Sequence, residues 1–441
     1  MKKPLVFTKR IWRLVAFTLL VTLFVSMMFS LVIWYTGAFD ALWPVCAQIV
    51  LMVLGMPWVI WLSAAMAQPV ENAIQQSYIR DARRKLDSIS GLITIGITGS
   101  YGKTSCKVIL GEMLSKKYKT FITPASYNTP MGVTRAIREN MPRDTQVFIA
   151  EMGSRHVGDI REMCAIVNPD IGFITSIGPQ HLETFGSLEN IAKGKYELIE
   201  CLPEGGLAIF PGDIPLGMAQ YRNTREPKVL FGLNPPEGVA YAMQAEEISC
   251  GPEGVAFTLV NSNGTRVPCS CRLLGKHNIS NILGCAAVAE RLDVSIEEIA
   301  DAIRTLRPVE HRLQLLDAGG QITVIDDSFN ASTAGTRAAL EVLRDFPGRK
   351  VIITPGLIEL GESQDAENKA FGEAMASLAD IVILVAGNAE KMAEGLKNAG
   401  FQMEHCYCTD SLREAMEVHK RIVRQGDVVL FENDLPDALE R

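Results

Sequence analysis

The sequence predicts an α/β fold in which two domains built on parallel β-sheets follow a pair of transmembrane helices. Three observations lead to this fold class. Residues 14–35 and 41–67 contain no charged side chain. The apolar run Ile93–Ile97 leads into a glycine-containing loop and a helical pattern. From Lys350 onward, apolar strand patterns alternate with helical ones, which is typical of parallel sheets covered by helices.

The two uncharged stretches predict a membrane hairpin over residues 1–67, with spans at about 14–35 and 41–64. Each stretch is long enough to cross a bilayer core of about 30 Å, and only Thr36–Asp40 separates them. Basic residues flank both outer ends: Lys2, Lys3, Lys9, Arg10 and Arg13 before the first span, and Arg80, Arg83, Arg84 and Lys85 after the second. Cytoplasmic flanks are enriched in Lys and Arg. We therefore expect a two-pass protein of a bacterial-type inner (cytoplasmic) membrane, with both termini and the later domains in the cytoplasm.

Two other interpretations of the uncharged stretches fit the sequence less well. A cleaved signal peptide is shorter, ends at a small-residue cleavage site and is not followed by a second apolar stretch. Buried core helices rarely lack charge over such lengths. Residues 68–90, which carry the second basic cluster, are predicted to form a juxtamembrane amphipathic helix that acts as a solvated stalk or contacts lipid headgroups.

The composition suits an enzyme rather than a nucleic-acid-binding protein. The chain has 441 residues, 48% apolar side chains and a net charge of −7, whereas nucleic-acid binding requires a basic face. A chain of this length is expected to hold about three domains. The ten cysteines include no C-x-x-C pair, so we expect ordinary reduced thiols rather than a disulfide framework or a zinc site.

The stretch Ile93–Ser105, ITIGITGSYGKTS, predicts a nucleotide site. An apolar strand ends at a glycine-containing turn, and Lys103 and Thr104 open a helix that extends to Leu114. Backbone N–H groups of such a loop, the positive end of the helix and a lysine ammonium bind polyphosphate, while a threonine hydroxyl can bind Mg²⁺. The alternative is a glycine turn that merely precedes a lysine. We expect ATP to bind Gly99, Ser100, Tyr101, Gly102, Lys103, Thr104 and Ser105.

Later segments place polar residues where a site needs them. Glu151 ends the short apolar strand Val147–Ala150, and a carboxylate at a strand end beside a phosphate loop can contact Mg²⁺. Four further polar segments follow along the chain: Gly178–Gly186 (GPQHLETFG), Ile191–Leu198 (IAKGKYEL), Gly275–Asn281 (GKHNISN) and Asp326–Ser332 (DDSFNAS). Taken alone, the first is also consistent with a structural histidine, the second with a helix that has exposed lysines, and the last two with polar helix caps.

Together with the loop T-G-S-Y-G-K-T-S and the run Leu306–Arg312, these segments resemble in residues and in order the motifs of the Mur ligase family. The resemblance covers about Ile93–Leu430 and is closest to the branch that adds D-alanyl-D-alanine during peptidoglycan precursor synthesis. It implies a P-loop-type central ATPase domain at residues 91–308 and a C-terminal, Rossmann-like doubly wound domain at residues 309–441. It also implies an ADP-forming acid–amino-acid ligase, in which ATP activates a carboxylate as an acyl phosphate and an amine then displaces phosphate.

The resemblance implies catalytic and metal-binding residues. Lys103, Glu151, His181 and Lys195 match the catalytic positions. Two Mg²⁺ ions are expected, held by Thr104, Glu151, His181 and a carbamylated lysine. Lys195 aligns better with that lysine than Lys193 does. The remaining nucleotide contacts implied are Asn278, Asn281, Arg312 and Asp326, and the implied substrate contacts are Asn128, Thr129, Asp327 and Asn330.

The first 90 residues differ from the family, whose members begin with a domain that holds the UDP-sugar end of the acceptor. We therefore expect an acceptor held at the membrane surface, a lipid-linked muropeptide or another envelope precursor, and an amino acid or dipeptide such as D-Ala-D-Ala as the amine. One alternative is an amide ligase for another polymer, such as a poly-γ-glutamate-like product. A second is a membrane-tethered nucleotide-binding regulator without ligase activity, against which the complete set of matched site residues argues.

Overall fold

A computed structural model of the protein describes residues 7–36, 43–316, 322–329 and 332–433. The chain divides into two compact units, residues 1–82 and residues 83–441. Several features named from the sequence lie outside the described residues: Lys2, Lys3, most of the turn between the two predicted spans, and Asn330.

The first unit is built from two long helices, α1 (Lys9–Tyr35) and α2 (Trp43–Asp87), of 27 and 45 residues. In the part of the chain that the structure describes, these two helices are long and apolar enough to cross a membrane, by length and composition alone. Most of their large apolar side chains are exposed rather than packed in a protein core. Core helices of soluble proteins bury such side chains, so these helices leave an apolar surface for another environment to cover.

Helix α2 is one continuous element where the sequence predicts a span followed by a separate juxtamembrane helix. It runs through Pro57 and Pro69 without a break. Each proline removes one backbone hydrogen bond, and membrane helices tolerate this loss when neighbouring groups satisfy the freed carbonyls.

Two polar contacts pair α1 with α2. Arg13 donates to both carboxylate oxygens of Glu71, with Nε–Oε1 and Nη2–Oε2 distances of 2.5 and 2.9 Å. Gln48 Nε2 donates to Ser26 Oγ at 3.0 Å. A bidentate Arg–carboxylate pair has a demanding geometry, so these contacts determine which faces of the two helices meet.

The second unit begins with a six-stranded parallel sheet. Its strands are β1 (Ile93–Thr98), β2 (Thr120–Ile122), β3 (Val147–Glu151), β4 (Ile171–Ile174), β5 (Leu207–Pro211) and β6 (Lys228–Phe231). They lie in the order β2-β3-β1-β4-β5-β6. Strands β2 and β3 therefore lie on one side of β1, and β4, β5 and β6 lie on its other side. Ligands of open α/β sheets bind at the carboxyl ends of strands where the strand order reverses in this way.

Helices cover this sheet, and a small antiparallel sheet follows it. The helices are α3 (Lys103–Leu114), α4 (Pro130–Arg135), α5 (Asp159–Val167), α6 (Leu182–Phe185), α7 (Leu188–Glu200) and α8 (Pro215–Asn223). The antiparallel strands are β7 (Met243–Gly251), β8 (Gly254–Asn261) and β9 (Arg266–Cys271), and helices α9 (Lys276–Arg291) and α10 (Ile296–Thr305) complete the domain. Side chains of α3, α9, α10 and both sheets form one continuous apolar core, which holds the helix that follows the phosphate loop against the strand that precedes it.

A second six-stranded sheet forms the C-terminal domain. Its strands are β10 (Gln314–Leu316), β11 (Thr323–Asp327), β12 (Lys350–Thr354), β13 (Ile381–Val385), β14 (Cys406–Thr409) and β15 (Val428–Glu432), in the order β10-β11-β15-β12-β13-β14. All pairs are parallel except β10 with β11. The helices are α11 (Thr333–Arg344), α12 (Gln364–Ala376), α13 (Ala389–Asn398) and α14 (Leu412–Ile422). One parallel and one mainly parallel sheet, with helices between their strands, confirm the predicted α/β class.

Candidate functional site

The loop between β1 and α3 has the conformation that a phosphate site needs. Gly102 precedes the first helical residue with φ of 81°, in the left-handed region that glycine adopts at little cost. A Cβ at Gly102 would lie 2.8 Å from Asn281 Oδ1, and one at Gly99 would lie 2.0 Å from Thr175 Oγ1. Gly99 is therefore required by close approach, and a side chain at Gly102 would require Asn281 to move.

Hydroxyl groups that follow β4 hold the loop in place. Ser176 Oγ accepts a hydrogen bond from the backbone N–H of Tyr101 at 2.7 Å, and Thr175 Oγ1 donates to the Tyr101 carbonyl at 2.5 Å. Ser100 Oγ donates to the carbonyl of Gly178 at 2.8 Å. Thr175 and Ser176 belong to none of the motifs named from the sequence. Their only local signal is two adjacent hydroxyl residues directly after a buried strand.

Lys103 lies at the first turn of α3, folded back over its own loop. Its Nζ donates to the carbonyl oxygens of Gly99, at 2.6 Å, and of Ser100, at 3.2 Å. Burial lowers the pKa of Lys103 to about 8, with the charge of Arg312 acting in the same direction and Glu151 opposing it. The Lys103 ammonium, partly removed from water, can exchange these carbonyl acceptors for a bound phosphate, because an ionised phosphate oxygen accepts a stronger hydrogen bond than a carbonyl does.

Glu151, at the end of β3, is the centre of a buried polar cluster. Its Oε1 accepts hydrogen bonds from Thr104 Oγ1 at 3.1 Å and from Asn128 Nδ2 at 3.2 Å. Its Oε2 lies 3.0 Å from Lys107 Nζ, and both of these side chains are 2% exposed. Lys107, one helical turn after Lys103, also donates to the Ala125 carbonyl at 2.6 Å. Lys107 lies outside the motifs named from the sequence.

The donor atoms around Glu151 fit one Mg²⁺ ion. Magnesium prefers hard oxygen ligands and is usually bound through one or two carboxylates, several waters and substrate phosphates. The Thr104 hydroxyl and Glu151 Oε1 supply such oxygens beside the phosphate loop. The described residues contain no group of three or more His, Cys, Asp or Glu side chains around one point. A phosphate-dependent Mg²⁺ site does not require a cage of that kind.

His181 contacts the C-terminal domain. Its Nδ1 lies 2.7 Å from Glu359 Oε2. Arg155 Nη2 lies 3.4 Å from the other oxygen of Glu359. Burial lowers the pKa of His181, opposed by Glu359 and assisted by Arg155 and Lys103. Nδ1 therefore faces the carboxylate of Glu359, and Nε2 is the ring nitrogen on the other side.

Lys195, in α7, is buried, whereas Lys193 on the same helix is exposed. The Lys195 ammonium lies over the ring of Phe185, 6.0 Å from the ring centroid. Burial lowers the pKa of Lys195 well below its ordinary value, and Lys103 acts in the same direction. Burial therefore favours the neutral amine at Lys195. It does not line the cavity described next.

A cavity of about 650 Å³ opens beside the phosphate loop, within the range of small-molecule sites. Most of the predicted residues line it, but Gly99, Asp326 and Lys195 do not. Thr129 serves two roles, since its Oγ1 also accepts from the Gly132 N–H and caps α4. The predicted residues on the wall are Ser100, Tyr101, Gly102, Lys103, Thr104, Ser105, Asn128, Thr129, Glu151, His181, Asn278, Asn281, Arg312 and Asp327.

Helix α9 provides the cavity wall next to the phosphate loop. Asn278 Nδ2 donates to the Leu274 carbonyl at 2.8 Å, and Asn281 lies against Gly102. Burial, together with the charge of Arg312, lowers the pKa of the neighbouring His277 to about 4. The His277 ring is therefore uncharged at neutral pH where it meets the cavity.

The C-terminal domain contributes Arg312 and Asp327 to the same cavity. The Arg312 guanidinium stacks 4.9 Å from the Phe329 ring centroid, and its enclosed Nε has no hydrogen-bond partner among the described residues. Burial raises the pKa of Asp327 to about 6, while Arg312 opposes the shift. An enclosed donor without an acceptor is costly unless a ligand completes it, so this wall is suited to an anion.

Asp326 has a different place from the one expected for a nucleotide contact. Its Oδ2 lies 2.7 Å from His311 Nδ1, and its Oδ1 accepts from the Ser328 N–H at 3.1 Å. Burial alone would raise the pKa of Asp326. The hydrogen bonds from Ser328 and His311 outweigh that effect, so the pKa lies below its ordinary value. In this structure Asp326 orders the segment that carries Arg312 rather than facing the cavity. Alternate residues of a strand face opposite sides, which is why only one of the two aspartates reaches the cavity wall.

The fold and the site define a class: a P-loop nucleotide-binding protein whose phosphate site is completed by a second α/β domain. Comparison with known proteins supports this class. Residues 97–289 match the Mur ligase middle domain, and residues 311–432 match the Mur ligase, glutamate ligase domain.

Named relatives and a solved structure agree with the domain matches. The UDP-N-acetylmuramoyl-tripeptide–D-alanyl-D-alanine ligase of Mycobacterium leprae is 30% identical over 375 residues, 77% of this chain and 71% of that protein. The Bacillus subtilis ligase of the same name is 28% identical over 346 residues, 77% of this chain and 73% of its own length. The crystal structure of MurF ligase from Thermotoga maritima in complex with ADP has a TM-score of 0.72 and 25% identity, covering 83% of this chain and 81% of that one.

The chain belongs to the Mur ligase family and is an ATP-dependent ligase similar to the D-alanyl-D-alanine-adding branch. The resemblance stated from the motifs is confirmed. Members of this family use ATP and Mg²⁺, which agrees with the oxygen donors found beside the phosphate loop.

Proposed function

We propose that this protein is a membrane-anchored ligase of cell-envelope precursor synthesis that activates an acceptor carboxylate with ATP and joins it to an amino acid or dipeptide such as D-Ala-D-Ala. The observation that carries the proposal is the shared cavity. The phosphate loop of the central domain and Arg312 and Asp327 of the C-terminal domain line the same 650 Å³ space. A nucleotide bound there would be held from both sides.

The first chemical step follows from the charges on the cavity wall. A carboxylate oxygen of the acceptor attacks the γ-phosphorus of ATP, the bond to the β,γ-bridging oxygen breaks, and ADP leaves. Lys103 and Arg312 are cations on this wall, and each would offset negative charge on the transferring phosphoryl group. Thr104 and Glu151 would hold Mg²⁺, which supplies further charge neutralisation when bound. Holding both reactants in one enclosed site removes much of the entropic barrier.

In the second step the amine attacks the acyl phosphate. The new C–N bond forms, the C–O bond to phosphate breaks, and the ammonium formed loses one proton. We assign Asn128, Thr129 and Asp327 to substrate contacts because all three line the cavity near the phosphate loop. Asn330 was assigned with them and lies outside the described residues.

The second metal position is proposed to involve His181 and a carbamylated Lys195. The neutral amine is the form of lysine that reacts with CO₂, and burial favours that form at Lys195. The carbamate would convert a cation into an anionic oxygen ligand of the kind Mg²⁺ prefers.

The membrane part of the proposal rests on α1 and α2. Their exposed apolar surface is of the kind that lipid covers. The basic residues outside both spans predict cytoplasmic flanks, which would place the ligase domains in the cytoplasm at the inner membrane. A catalytic domain tethered there meets membrane-bound molecules at high effective concentration. We therefore propose a lipid-linked muropeptide or a related envelope precursor as the acceptor, with the soluble UDP-linked muropeptide as the competing candidate.

Phosphate release from ATP by detergent-solubilised protein tests the proposal. The assay combines D-Ala-D-Ala with soluble UDP-linked and with lipid-linked muropeptides, and it compares the wild type with Lys103→Ala. Release that requires both an amine and a lipid-linked acceptor, and that Lys103→Ala abolishes, is the expected result. Release with the soluble acceptor alone would retain the ligase and overturn the lipid-linked acceptor.

Two further outcomes lead to the remaining candidates. Stimulation by a γ-glutamyl or other peptide acceptor only would indicate a ligase for another polymer. Nucleotide binding with no release for any pair would indicate a membrane-tethered regulator. Protease accessibility of the C-terminal domain in inverted and right-side-out vesicles tests the membrane topology separately, and protection in inverted vesicles would contradict it.

A further inference from the structure

We infer that Glu359 is a positioning residue: from the C-terminal domain it orients His181, the metal-ligand candidate of the central domain, so that metal binding depends on domain closure. The inference rests on the proposed function, because it takes His181 as a metal ligand. It begins from the 2.7 Å contact between His181 Nδ1 and Glu359 Oε2.

The contact determines which ring nitrogen is free. An ionised carboxylate only accepts hydrogen bonds, so Nδ1 carries the proton and Nε2 keeps its lone pair. Histidines that bind metals usually donate their other ring N–H to a carboxylate or carbonyl, which sets the tautomer and the ring orientation. The His181–Glu359 pair has this arrangement, and His181 lines the cavity while Glu359 does not.

The loop that carries Glu359 is held by the C-terminal domain. Glu359 lies in the loop after β12, and three asparagine side chains bind the start of that loop. Asn368 Nδ2 donates to the Leu357 carbonyl at 2.9 Å and Asn388 Nδ2 to the Pro355 carbonyl at 3.1 Å. Asn433 Nδ2 donates to the Gly356 carbonyl at 2.7 Å. Because Asn368, Asn388 and Asn433 belong to the C-terminal domain, Glu359 moves with that domain.

The central domain presents a matching surface. Arg155, which lies 3.4 Å from Glu359 Oε1, and His181 both belong to it, so one carboxylate contacts two of its side chains. Gly361 packs against Glu183 of α6. His181 and Glu359 both have left-handed backbone conformations, with φ of 53° and 61°. Such conformations cost about 1 kcal/mol or more for residues other than glycine and concentrate at functional sites.

The consequence is a coupling between domain position and metal affinity. With the domains together, Glu359 holds the His181 ring with Nε2 available. When the C-terminal domain moves away, the ring loses that partner and its orientation. Partners of this kind typically change metal affinity or activity by about 10- to 100-fold when removed. Arg155 contacts the carboxylate oxygen of Glu359 that His181 does not.

Mn²⁺ binding to the full-length, detergent-solubilised protein with saturating ADP, measured by electron paramagnetic resonance, tests the inference without turnover. We expect Glu359→Ala to weaken Mn²⁺ binding about tenfold. Glu359→Gln should weaken it less, since its amide oxygen can still accept from Nδ1. Glu362→Ala, an exposed acidic neighbour on the same loop, is the matched control and should bind Mn²⁺ as the wild type does.

His181→Ala separates the inference from the proposed function. If His181→Ala weakens Mn²⁺ binding and Glu359→Ala does not, the inference is overturned while the metal assignment stands. If neither variant changes it, His181 is not a metal ligand in the ADP complex, and both the inference and that assignment are overturned, although the ligase assay above still decides the proposed activity. Binding of a fluorescent ADP analogue in EDTA should be the same for all four variants, because none removes a phosphate contact.

Discussion

The ammonium of Lys107 lies 3.0 Å from Glu151 Oε2, and both side chains are almost fully buried. Lys107 thereby occupies one oxygen of Glu151 and leaves the other for Thr104 and Asn128. A buried carboxylate without a cation would tend to take up a proton. The pair therefore gives the buried Glu151 carboxylate a cationic partner beside the phosphate loop.

Replacing Lys107 by methionine should destabilise the protein strongly. Breaking a buried ion pair from one side leaves an uncompensated charge, which typically costs about 3–5 kcal/mol. We expect the free energy of unfolding by denaturant to fall by about that amount and Mg²⁺-dependent nucleotide binding to weaken. Lys116→Met, an exposed lysine just beyond α3, is the control. Equal stability of the two variants would contradict the structural role of the pair.

Gly102→Ala should impair nucleotide binding beyond its effect on stability. The new Cβ would lie 2.8 Å from Asn281 Oδ1, so the asparagine or the loop must move. Gly205→Ala is a matched control, since Gly205 has φ of 82° against 81° for Gly102 but open space around its Cβ. Both substitutions should cost about 1–2 kcal/mol of stability. Only Gly102→Ala should weaken ADP binding in a calorimetric titration, and similar affinities would refute the close-approach argument.

His277 should make the protein less stable in mild acid. Its pKa is about 4 in the folded state and about 6.5 when unfolded, so between these values the unfolded chain binds more protons. Stability is then fully present above about pH 6.5 and falls as the pH drops toward about 4, by at most about 3 kcal/mol. Water in the cavity hydrates the half-buried ring and reduces this figure. The free energy of unfolding by urea should differ less between pH 4.5 and pH 7.5 in His277→Gln than in the wild type. His405→Gln, at an exposed site, should show the same difference as the wild type.

Lys195 and Lys193 offer a paired test of carbamylation. The two lysines share α7, and only Lys195 is buried. With ¹³C-labelled bicarbonate, a carbamate NMR signal should be present in the wild type and in Lys193→Ala and absent in Lys195→Ala. Phosphate release should fall at least about tenfold in Lys195→Ala only. A signal that persists in Lys195→Ala would place the modification elsewhere.

Motif order and local pattern were sufficient for much of the fold. Strand β1, the phosphate loop and α3 have bounds close to those expected, because a β-branched run, a glycine turn and a helix start are encoded by neighbouring residues. The preference for Lys195 over Lys193 agrees with their burial. The sequence predicts a second span and then a juxtamembrane helix at residues 68–90, because the composition changes there from apolar to basic. In the structure both belong to one continuous helix, α2, which contains Pro57 and Pro69.

By itself, the sequence determined the α/β class, the family and the residues of the phosphate loop, because each depends on residues close together in the chain. The tertiary structure decided the partners of those residues. Lys107 with Glu151, Asp326 with His311 and Glu359 with His181 are contacts between separate elements. Such contacts depend on strand order and on the packing of helices against sheets. No local pattern contains that information, so the side chains that tune the site became visible only in the folded chain.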